Sequence, residues 1–420
     1  MLPRRPSSVR PATTGFIFIT VLLDMVAVGI MAPVLPKLII SFEQGDIARA
    51  ASIAGVIGLI WAGMQFVFSP IVGALSDRCG RRPIILLSNL GLGLDYLIMA
   101  LAPSLPWLFV GRALSGVAGA SFATAAAYIA DVTPQEKRAG QIGLLGAAFG
   151  IGFVLGPAIG GTLGELDLRL PFWVAAGLSL ANAAYGYFVL PESLPIEHRA
   201  RLKWEIVNPL NTLKLLRSYP RLGGLAAAAF LCFLGHEALH ATFVLYTDYR
   251  YAWSANQVGL ALSLVGIGSG IVSGLLVRPA VARCGEHPVV LAGLIFGVVG
   301  FTAYAFAPTG ALFLASTPLM ALWALTGPAV QSSMTRQVGP SEQGRLQGAL
   351  SSLRGMAGLV GPLLFTQTFV VGISGGHRTP GAPYLVVAGL LIFAIVTVTG
   401  GPPRLGRRSP SNMYSALEES

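Results

Sequence analysis

The sequence predicts an all-α integral membrane protein whose twelve transmembrane helices form two six-helix bundles. Of its 420 residues, 54% are hydrophobic and only 11% are charged, which is less than half the charged fraction of an ordinary soluble domain. Twelve apolar windows are each about 20 residues long or longer, the length that a helix needs to cross a bilayer. A weak internal repeat relates the first six windows to the last six.

Taken in order, the twelve windows define the predicted helices and domains. Each window ends at charged or turn-forming residues, and the Gly and Pro residues inside them are compatible with membrane helices. The predicted helices are 14–40, 51–73, 83–102, 106–130, 139–164, 170–190, 221–247, 255–277, 288–307, 311–334, 346–372 and 382–401. The predicted domains are a tail (1–13), a first bundle (14–190), a central linker (191–220), a second bundle (221–401) and a second tail (402–420).

The repeat appears when the chain is shifted by 205 residues. This shift places Arg78-Cys79-Gly80 on Arg283-Cys284-Gly285, between the second and third helices of each half. It also places Gly156-Pro157 on Gly361-Pro362, in the fifth helix of each half. Two matches at one offset indicate a duplication. A parallel repeat of six helices is an architecture of secondary transporters, whose substrate site lies between the halves near the bilayer midplane.

The basic residues predict the orientation. With both termini in the cytoplasm, most of the 28 Lys and Arg residues lie in the tails, the linker and the cytoplasmic loops, as the positive-inside rule requires. The exceptions are Lys37, Arg49, Arg112, Arg169, Arg250, Arg354 and Arg378. This bias accounts for the net charge of +10, so no nucleic acid partner is expected. The linker, with Leu202 and Trp204 among basic residues, is either an amphipathic helix on the membrane surface or a solvated segment.

Two motifs resemble the major facilitator superfamily. "GALSDRCGRRP" (73–83) resembles the signature of its loop between helices 2 and 3, and "GIGFVLGPAIGG" (150–161) resembles the fifth-helix signature of its drug/proton antiporters. "LLDMVAVGIMAPVLP" (22–36) and residues 92–143 resemble the tetracycline-resistance branch.

The resemblance implies a major facilitator fold and proton-driven export of a drug-like amphipathic compound, with tetracycline as the candidate substrate. It also implies a monomer in the bacterial inner membrane that needs no cofactor and no metal. No nucleotide-binding loop of the G-x-x-x-x-G-K-[ST] type occurs in the sequence, so no use of ATP is expected. The expected partners are the substrate, protons and the lipid bilayer.

The first motif is expected to form a conformational latch on the cytoplasmic side. Its acid can accept hydrogen bonds at a helix N-terminus, and its arginines can pair with acids across the interface between the halves. The alternative is that the arginines only set the topology. The second copy has Ala282 for Asp77 and Glu286 for Arg81, which predicts a weaker latch there. By the resemblance, the latch residues are Gly73, Asp77, Arg78, Gly80, Arg81 and Arg82.

Ionisable residues inside membrane helices are rare and usually mark transport pathways or proton relays. They are Asp24, Asp95, Arg112, His236, Glu237, His240 and Arg354. Tetracycline pumps carry acids in helices 1 and 3 and an arginine in helix 4, and the resemblance assigns these places to Asp24, Asp95 and Arg112. Movement of an arginine relative to a buried acid can load and release a proton. The alternative is a static ion pair between helices.

The fifth-helix signature is expected to supply the hinge and the close-packing face at which the halves meet. Small residues spaced four apart let helices approach closely, and proline bends a helix by removing a hydrogen bond. Ordinary helix packing is the alternative. The residues concerned are Gly152, Gly156, Pro157, Gly160 and Gly161.

The segment His236-Glu237-x-x-His240 matches the zinc-protease motif. The sequence offers no third metal ligand in a suitable context, so an intramembrane protease is the least favoured reading. The segment otherwise either lines the cavity of the second half, with Glu237 as a second proton carrier, or is passive. Ser269 and Gly297 stand where tetracycline pumps carry a histidine and an aspartate. Transport of an endogenous metabolite therefore remains an alternative.

Overall fold

The computed structural model describes residues 11–119, 122–199, 219, 222–339, 342–374 and 379–400. The second tail, most of the first tail and most of the linker, including Leu202 and Trp204, lie outside these residues. Within the described ranges all regular secondary structure is helical. The predicted all-α class is confirmed.

In the part of the chain that the structure describes, twelve helices are long and apolar enough to cross a membrane, as the sequence predicts. Their ends lie within seven residues of the predicted windows, and the largest differences are at Cys79 and Cys284, where the helices continue beyond the predicted ends. The helices are α1 (Gly15–Phe42), α2 (Ile47–Cys79), α3 (Arg81–Leu101), α4 (Leu105–Val132), α5 (Glu136–Leu166), α6 (Leu170–Val189), α7 (Leu222–Tyr251), α8 (Ala255–Cys284), α9 (Glu286–Phe306), α10 (Gly310–Thr335), α11 (Gln343–Ser374) and α12 (Ala382–Thr399).

Local sequence explains where several helices begin. Asp46 precedes α2 and accepts a hydrogen bond from the Arg49 backbone N–H at 3.0 Å. Ser254 precedes α8 and forms a capping box with Gln257. Both contacts satisfy backbone N–H groups that the first turn of a helix leaves free. Gly80 and Gly285, at the starts of α3 and α9, have φ angles of +104° and +82°, which glycine adopts without strain.

Three helices are irregular. Helix α1 is interrupted between the segments Pro11–Met31 and Leu35–Phe42. Helix α8 contains a π-helical turn at Val272–Leu276, and α10 contains a 3₁₀ turn at Trp323–Leu325. Such turns often occur at functional sites, and the turn in α10 carries a side chain of the site described below.

Two pairs of helices join the halves. Helix α5 contacts α8 between Glu165 and Phe153. Glu165 accepts a hydrogen bond from the Asn256 backbone N–H, and the Phe153 ring lies beside Gly266. Helix α2 contacts α11 from Gly55, beside Thr366, to Phe66, beside Gly355. Since residue 161 corresponds to 366 and 157 to 362 under the shift of 205, the two contacts are copies of each other.

Both contacts cover only one end of the molecule, which we call the far end. The opposite end of the molecule, which we call the linker end, is the one at which the helices flanking residues 191–221 terminate. Towards the linker end, a Cβ atom added to Gly146 in α5 or to Gly274 in α8 would meet no other atom within 4 Å. The same holds for Gly73 in α2 and Gly344 in α11. Among the described residues, the halves are therefore in contact at the far end and separated at the linker end.

Candidate functional site

Asp95 of α3 and Arg112 of α4 form a buried ion pair inside the first half. Asp95 Oδ2 accepts a hydrogen bond from Arg112 Nη2 at 2.5 Å, and Arg112 Nη2 also donates to Ser115 Oγ at 2.5 Å. The Asp95 side chain is fully buried and that of Arg112 nearly so. Asp95 Oδ1 and Arg112 Nε have no hydrogen-bond partner among the described residues. The pair therefore holds spare donor and acceptor capacity.

Asp24 of α1 lies between two asparagines. Asn182 of α6 donates to Asp24 Oδ1 at 2.8 Å and to the Thr20 carbonyl at 2.9 Å. Asn89 of α3 donates to Asp24 Oδ2 at 3.0 Å when its amide is oriented to satisfy its neighbours. Both asparagines are fully buried. Neutral amides thus hold Asp24, and no cation of the described residues pairs with it. The predicted acids occupy two different environments within one half.

Arg81 is the centre of the latch motif. Its side chain donates to Asp77 at 2.5 Å, to Ser76 at 2.9 Å and to Asp131, at the end of α4, at 3.0 Å. All these partners belong to the first half, whereas the sequence analysis expected partners across the interface. In this conformation the halves are separated at the linker end, so the motif binds its own bundle together.

Glu192, which follows α6, was not singled out from the sequence. Its carboxylate accepts hydrogen bonds from the backbone N–H of Arg81 at 2.9 Å and from those of Ser193 and Leu194, both at 3.0 Å. It therefore occupies the helix N-terminus that the sequence analysis gave to Asp77. A Cβ on Gly80 would lie 2.2 Å from the Glu192 carboxylate, and the φ of +104° at this position also favours glycine.

The remaining latch residues surround this centre. Arg82 donates to the Tyr187 carbonyl at 2.5 Å, and its guanidinium lies 5.6 Å from the Tyr187 ring centre. Arg78 is exposed, and Gly73 lies half-buried in α2.

The second half carries a copy of the Arg81–Asp131 pair with its charges reversed. Glu286, at the start of α9, pairs with Arg336 at the end of α10 at 2.9 Å. The shift of 205 places Arg81 on Glu286 and Asp131 on Arg336. Glu286 also accepts a hydrogen bond from Ser332 at 2.5 Å. The loss of Arg81 in the second copy is thus accompanied by a compensating change at its partner.

The glycines of α5 form two faces rather than one. A Cβ on Gly152, Gly156 or Gly160 would lie within 2.5 Å of atoms of α1, closest to Met25, Gly29 and Ile30 respectively. These three glycines pack α5 against α1 inside the first half.

The second face meets the other half. A Cβ on Gly161 would lie 2.5 Å from the Ala255 carbonyl oxygen, and a Cβ on Gly259 would lie 2.2 Å from the Pro157 carbonyl oxygen. Of the five predicted hinge residues, Pro157 and Gly161 therefore lie at the junction of the halves with α8.

Three side chains of α7 lie beside the space between the halves. The His236 ring stacks on Trp323 of α10 with 4.2 Å between ring centres, and its Nδ1 lies 3.1 Å from the Cys232 carbonyl oxygen. The His240 ring meets Phe153 of α5, in the other half, at 6.2 Å. Glu237 packs closely against Gly361 of α11, since a Cβ added to Gly361 would lie only 2.3 Å from the Cβ of Glu237.

The same region contains no arrangement suited to zinc. No group of three His, Cys, Asp or Glu side chains within the described ranges can hold a metal ion. His236 instead uses its ring to stack on Trp323 and its Nδ1 to contact its own helix. A Cβ on Gly297 would lie 2.7 Å from both Trp323 and Leu391, which leaves no room for an aspartate at that place.

An ion pair closes the far end. Lys37 of α1 donates to Asp248 of α7 and, at 2.7 Å, to the Trp253 carbonyl. Both contacts join the first half to the second. From the sequence, Lys37 is only an exception to the distribution of basic residues and has no assigned partner, because only the fold brings Asp248 close to it.

The comparisons agree with this architecture. The model of the Major Facilitator Superfamily matches residues 17–250 and 225–413. The tetracycline resistance protein, class C, of Escherichia coli is 37% identical over 91% of this chain and 95% of its own length. The class B protein of Escherichia coli is 34% identical over 92% and 94%.

Solved structures show the same fold. The nucleoside transporter NupG has a TM-score of 0.73 at 14% identity and covers 92% of this chain and 98% of its own. The human organic anion transporter MFSD10 has a TM-score of 0.68 at 24% identity and covers 94% and 100%. The chain belongs to the Major Facilitator Superfamily, and it is a multi-pass membrane transporter rather than an enzyme.

Proposed function

We propose that the protein exports tetracycline or a related amphipathic compound from a bacterial cell in exchange for protons. The observation that carries this proposal is the set of acids buried in the first half, where Asp95 is paired with Arg112 and Asp24 is held by two asparagines. Ionisable groups at such positions cost free energy and usually serve ion or proton movement. Similarity to tetracycline resistance proteins over nine-tenths of the chain supports the substrate class.

Alternating access supplies the mechanism. By the positive-inside rule, the linker end and both termini lie on the cytoplasmic side of the inner membrane. The described conformation is therefore open to the cytoplasm. Substrate enters between the halves from that side. The halves then rock about the glycine junctions and the cavity opens outward, where a proton from outside neutralises Asp95 or Asp24 and substrate leaves. The protonated protein rocks back to the conformation that is open to the cytoplasm. Proton release to the cytoplasm resets the protein, with no cofactor and no ATP.

Everted membrane vesicles from a host that lacks its own drug pumps test this proposal. We expect tetracycline addition to release protons from energised vesicles that contain the protein. Asp95→Asn should abolish this exchange, while Glu197→Gln, which changes an exposed acid, should retain it. Normal exchange by Asp95→Asn would remove Asp95 from the mechanism.

One observation favours a second candidate, the transport of an endogenous metabolite. The second half lacks the polar residues that tetracycline pumps carry in helices 8 and 9, and Gly297 has no space for one. A susceptibility panel of tetracyclines and unrelated amphipathic drugs separates the two. Protection against none of these compounds would support the metabolite.

A further inference from the structure

Arg354 of α11 is a charged residue inside a membrane helix, and among the described residues it has no hydrogen-bond or ion-pair partner. Its side chain is accessible, and its guanidinium carbon lies 4.8 Å from the centre of the Phe233 ring. No carboxylate of the described residues comes within salt-bridge distance of it, and no hydrogen bond of its side chain is found among them. Charged groups at this depth normally pair or face a water-filled cavity. Arg354 therefore has its donors available for a ligand.

Arg354 lies where the contact between the halves ends. The next residue, Gly355, packs against Phe66 of α2. A Cβ added to Gly344 of α11 or to Gly73 of α2, both nearer the linker end, would meet no atom within 4 Å among the described residues. In the α5–α8 pair, Phe153 lies beside Gly266, about one helical turn nearer the far end than residue 150, which corresponds to Gly355 under the shift of 205. The guanidinium thus lies at the closed apex of the space that opens towards the linker end, near the middle of the spanning helices.

Flat aromatic surfaces from both halves surround this apex. Phe153 stacks with Phe149 in α5, with 6.4 Å between ring centres, and its edge meets the His240 ring. On the other side His236 and Trp323 form a stacked pair. Aromatic rings bind planar apolar groups through offset stacking and edge contacts. The apex is therefore suited to a flat ring system.

Glu237 supplies the opposite charge. It lies within electrostatic range of Arg354 but forms no ion pair with it. Its Cβ packs against Gly361 of α11, where a larger residue would collide with it. The two side chains are therefore near each other without a direct ion pair. A single acidic group on the ligand can therefore reach Arg354, whereas a second one would meet the repulsion of Glu237.

We propose that Arg354 binds the acidic group of a planar aromatic substrate whose rings lie between Phe153 and the His236–Trp323 pair. Because a guanidinium presents several N–H donors in one plane, it binds carboxylates and similar groups in a defined orientation. The inference rests on the proposed function in that this ligand is the exported compound. The site is assigned by binding chemistry and needs no proton gradient.

Equilibrium binding to purified protein in lipid nanodiscs, without a pH difference, tests this inference. Pyrenebutyrate, neutral pyrenebutyramide and cationic pyrenebutylammonium carry the same rings, and energy transfer from tryptophan reports their binding. Empty nanodiscs of the same lipids correct for partition into the bilayer. We expect the acid to bind about tenfold or more tightly than the amide, since hydrogen bonds to charged groups are the strong ones.

Arg354→Gln should remove this preference and leave binding of the neutral amide unchanged. Arg354→Lys should retain part of it, because the charge remains. Arg345→Gln, on the same helix but paired with Glu342, is the matched control and should behave as wild type. Glu237→Gln should weaken binding of the cation alone.

Equal binding of the acid and the amide by the wild type would overturn the inference, as would an equal loss for all three probes in Arg354→Gln. If acid selectivity persists but tetracycline releases no protons from vesicles, the proposed function fails and this site stands. If proton exchange persists without acid selectivity, this site alone is wrong.

Discussion

At the level of single residues, the buried ion pair of Asp95 and Arg112 is the main charged feature of the first half. Asp95 and Arg112 share one hydrogen bond and keep unused polar atoms. A pair with spare capacity can exchange partners more readily than one whose atoms are all satisfied. The proposed proton relay would use this spare capacity.

Neutralising one partner of this pair should be more harmful to folding than neutralising both. Arg112→Gln leaves the Asp95 carboxylate buried without its cation and should lower the free energy of unfolding by about 3–5 kcal/mol. The double variant Asp95→Asn/Arg112→Gln should recover much of that loss. Thermal unfolding in detergent checks stability, and vesicle assays check proton exchange. Full exchange by the double variant would show that the pair is only structural.

The asparagines around Asp24 are expected to be required for transport. Asn182→Ala removes the donors to Asp24 and to the Thr20 carbonyl, and a buried group left unpaired costs about 1–3 kcal/mol. We expect a large fall in proton exchange. Ser179→Ala, on the same helix and equally buried but without a partner for its hydroxyl, is the control. Equal activity of the two variants would show that the contact with Asp24 is not needed.

The sequence revealed the charged members of these sites but not their neutral neighbours. Asp24, Asp95 and Arg112 stand out because a charge inside an apolar run is unusual. Asn89, Asn182 and Glu192 carry no such signal: amides occur in many membrane helices, and Glu192 lies in a polar linker. Only the fold brings Asn89 of α3 and Asn182 of α6 to one carboxylate of α1.

At the scale of helices, α5 illustrates how much a spacing rule can resolve. The spacing of four predicts close packing, and the structure places close contacts at all five signature residues. The spacing alone does not indicate which helix each face contacts. The face of Gly152, Gly156 and Gly160 joins α1, whereas Pro157 and Gly161 meet α8.

The two faces should respond differently to an added side chain. Gly156→Val would drive atoms into the α1 backbone and should lower the yield and melting temperature of the folded protein. Gly161→Val disturbs only the junction with α8, so we expect near-normal folding with impaired transport. Size-exclusion profiles and melting temperatures of both variants, beside transport, check this difference. Comparable melting temperatures would contradict the assignment of the faces.

At the scale of the whole molecule, the repeat predicts two equivalent junctions but not which end is closed. The same sequence must allow both arrangements, since alternating access requires them. In the described conformation, the Lys37 contact with Asp248 and the Trp253 carbonyl helps to hold the far end together.

Removal of this contact should shift the molecule towards the opposite arrangement. Cys79 and Cys284 are exposed at the linker ends of α2 and α8, while Cys232 is buried, so spin labels on the two exposed thiols report the separation of the halves. We expect Lys37→Met to increase the population with a shorter distance. Lys137→Met, which changes a lysine at the linker end, is the control. An unchanged distance distribution in Lys37→Met would show that the far-end contact does not stabilise this conformation.

If buried acids of the first half couple proton entry to the rocking of the two halves, export depends on the proton gradient. This dependence can be measured as tetracycline accumulation in proteoliposomes, with an imposed pH difference and again after an ionophore has collapsed it. We expect accumulation against the tetracycline gradient only while the pH difference lasts. Equal accumulation after the collapse would contradict this coupling.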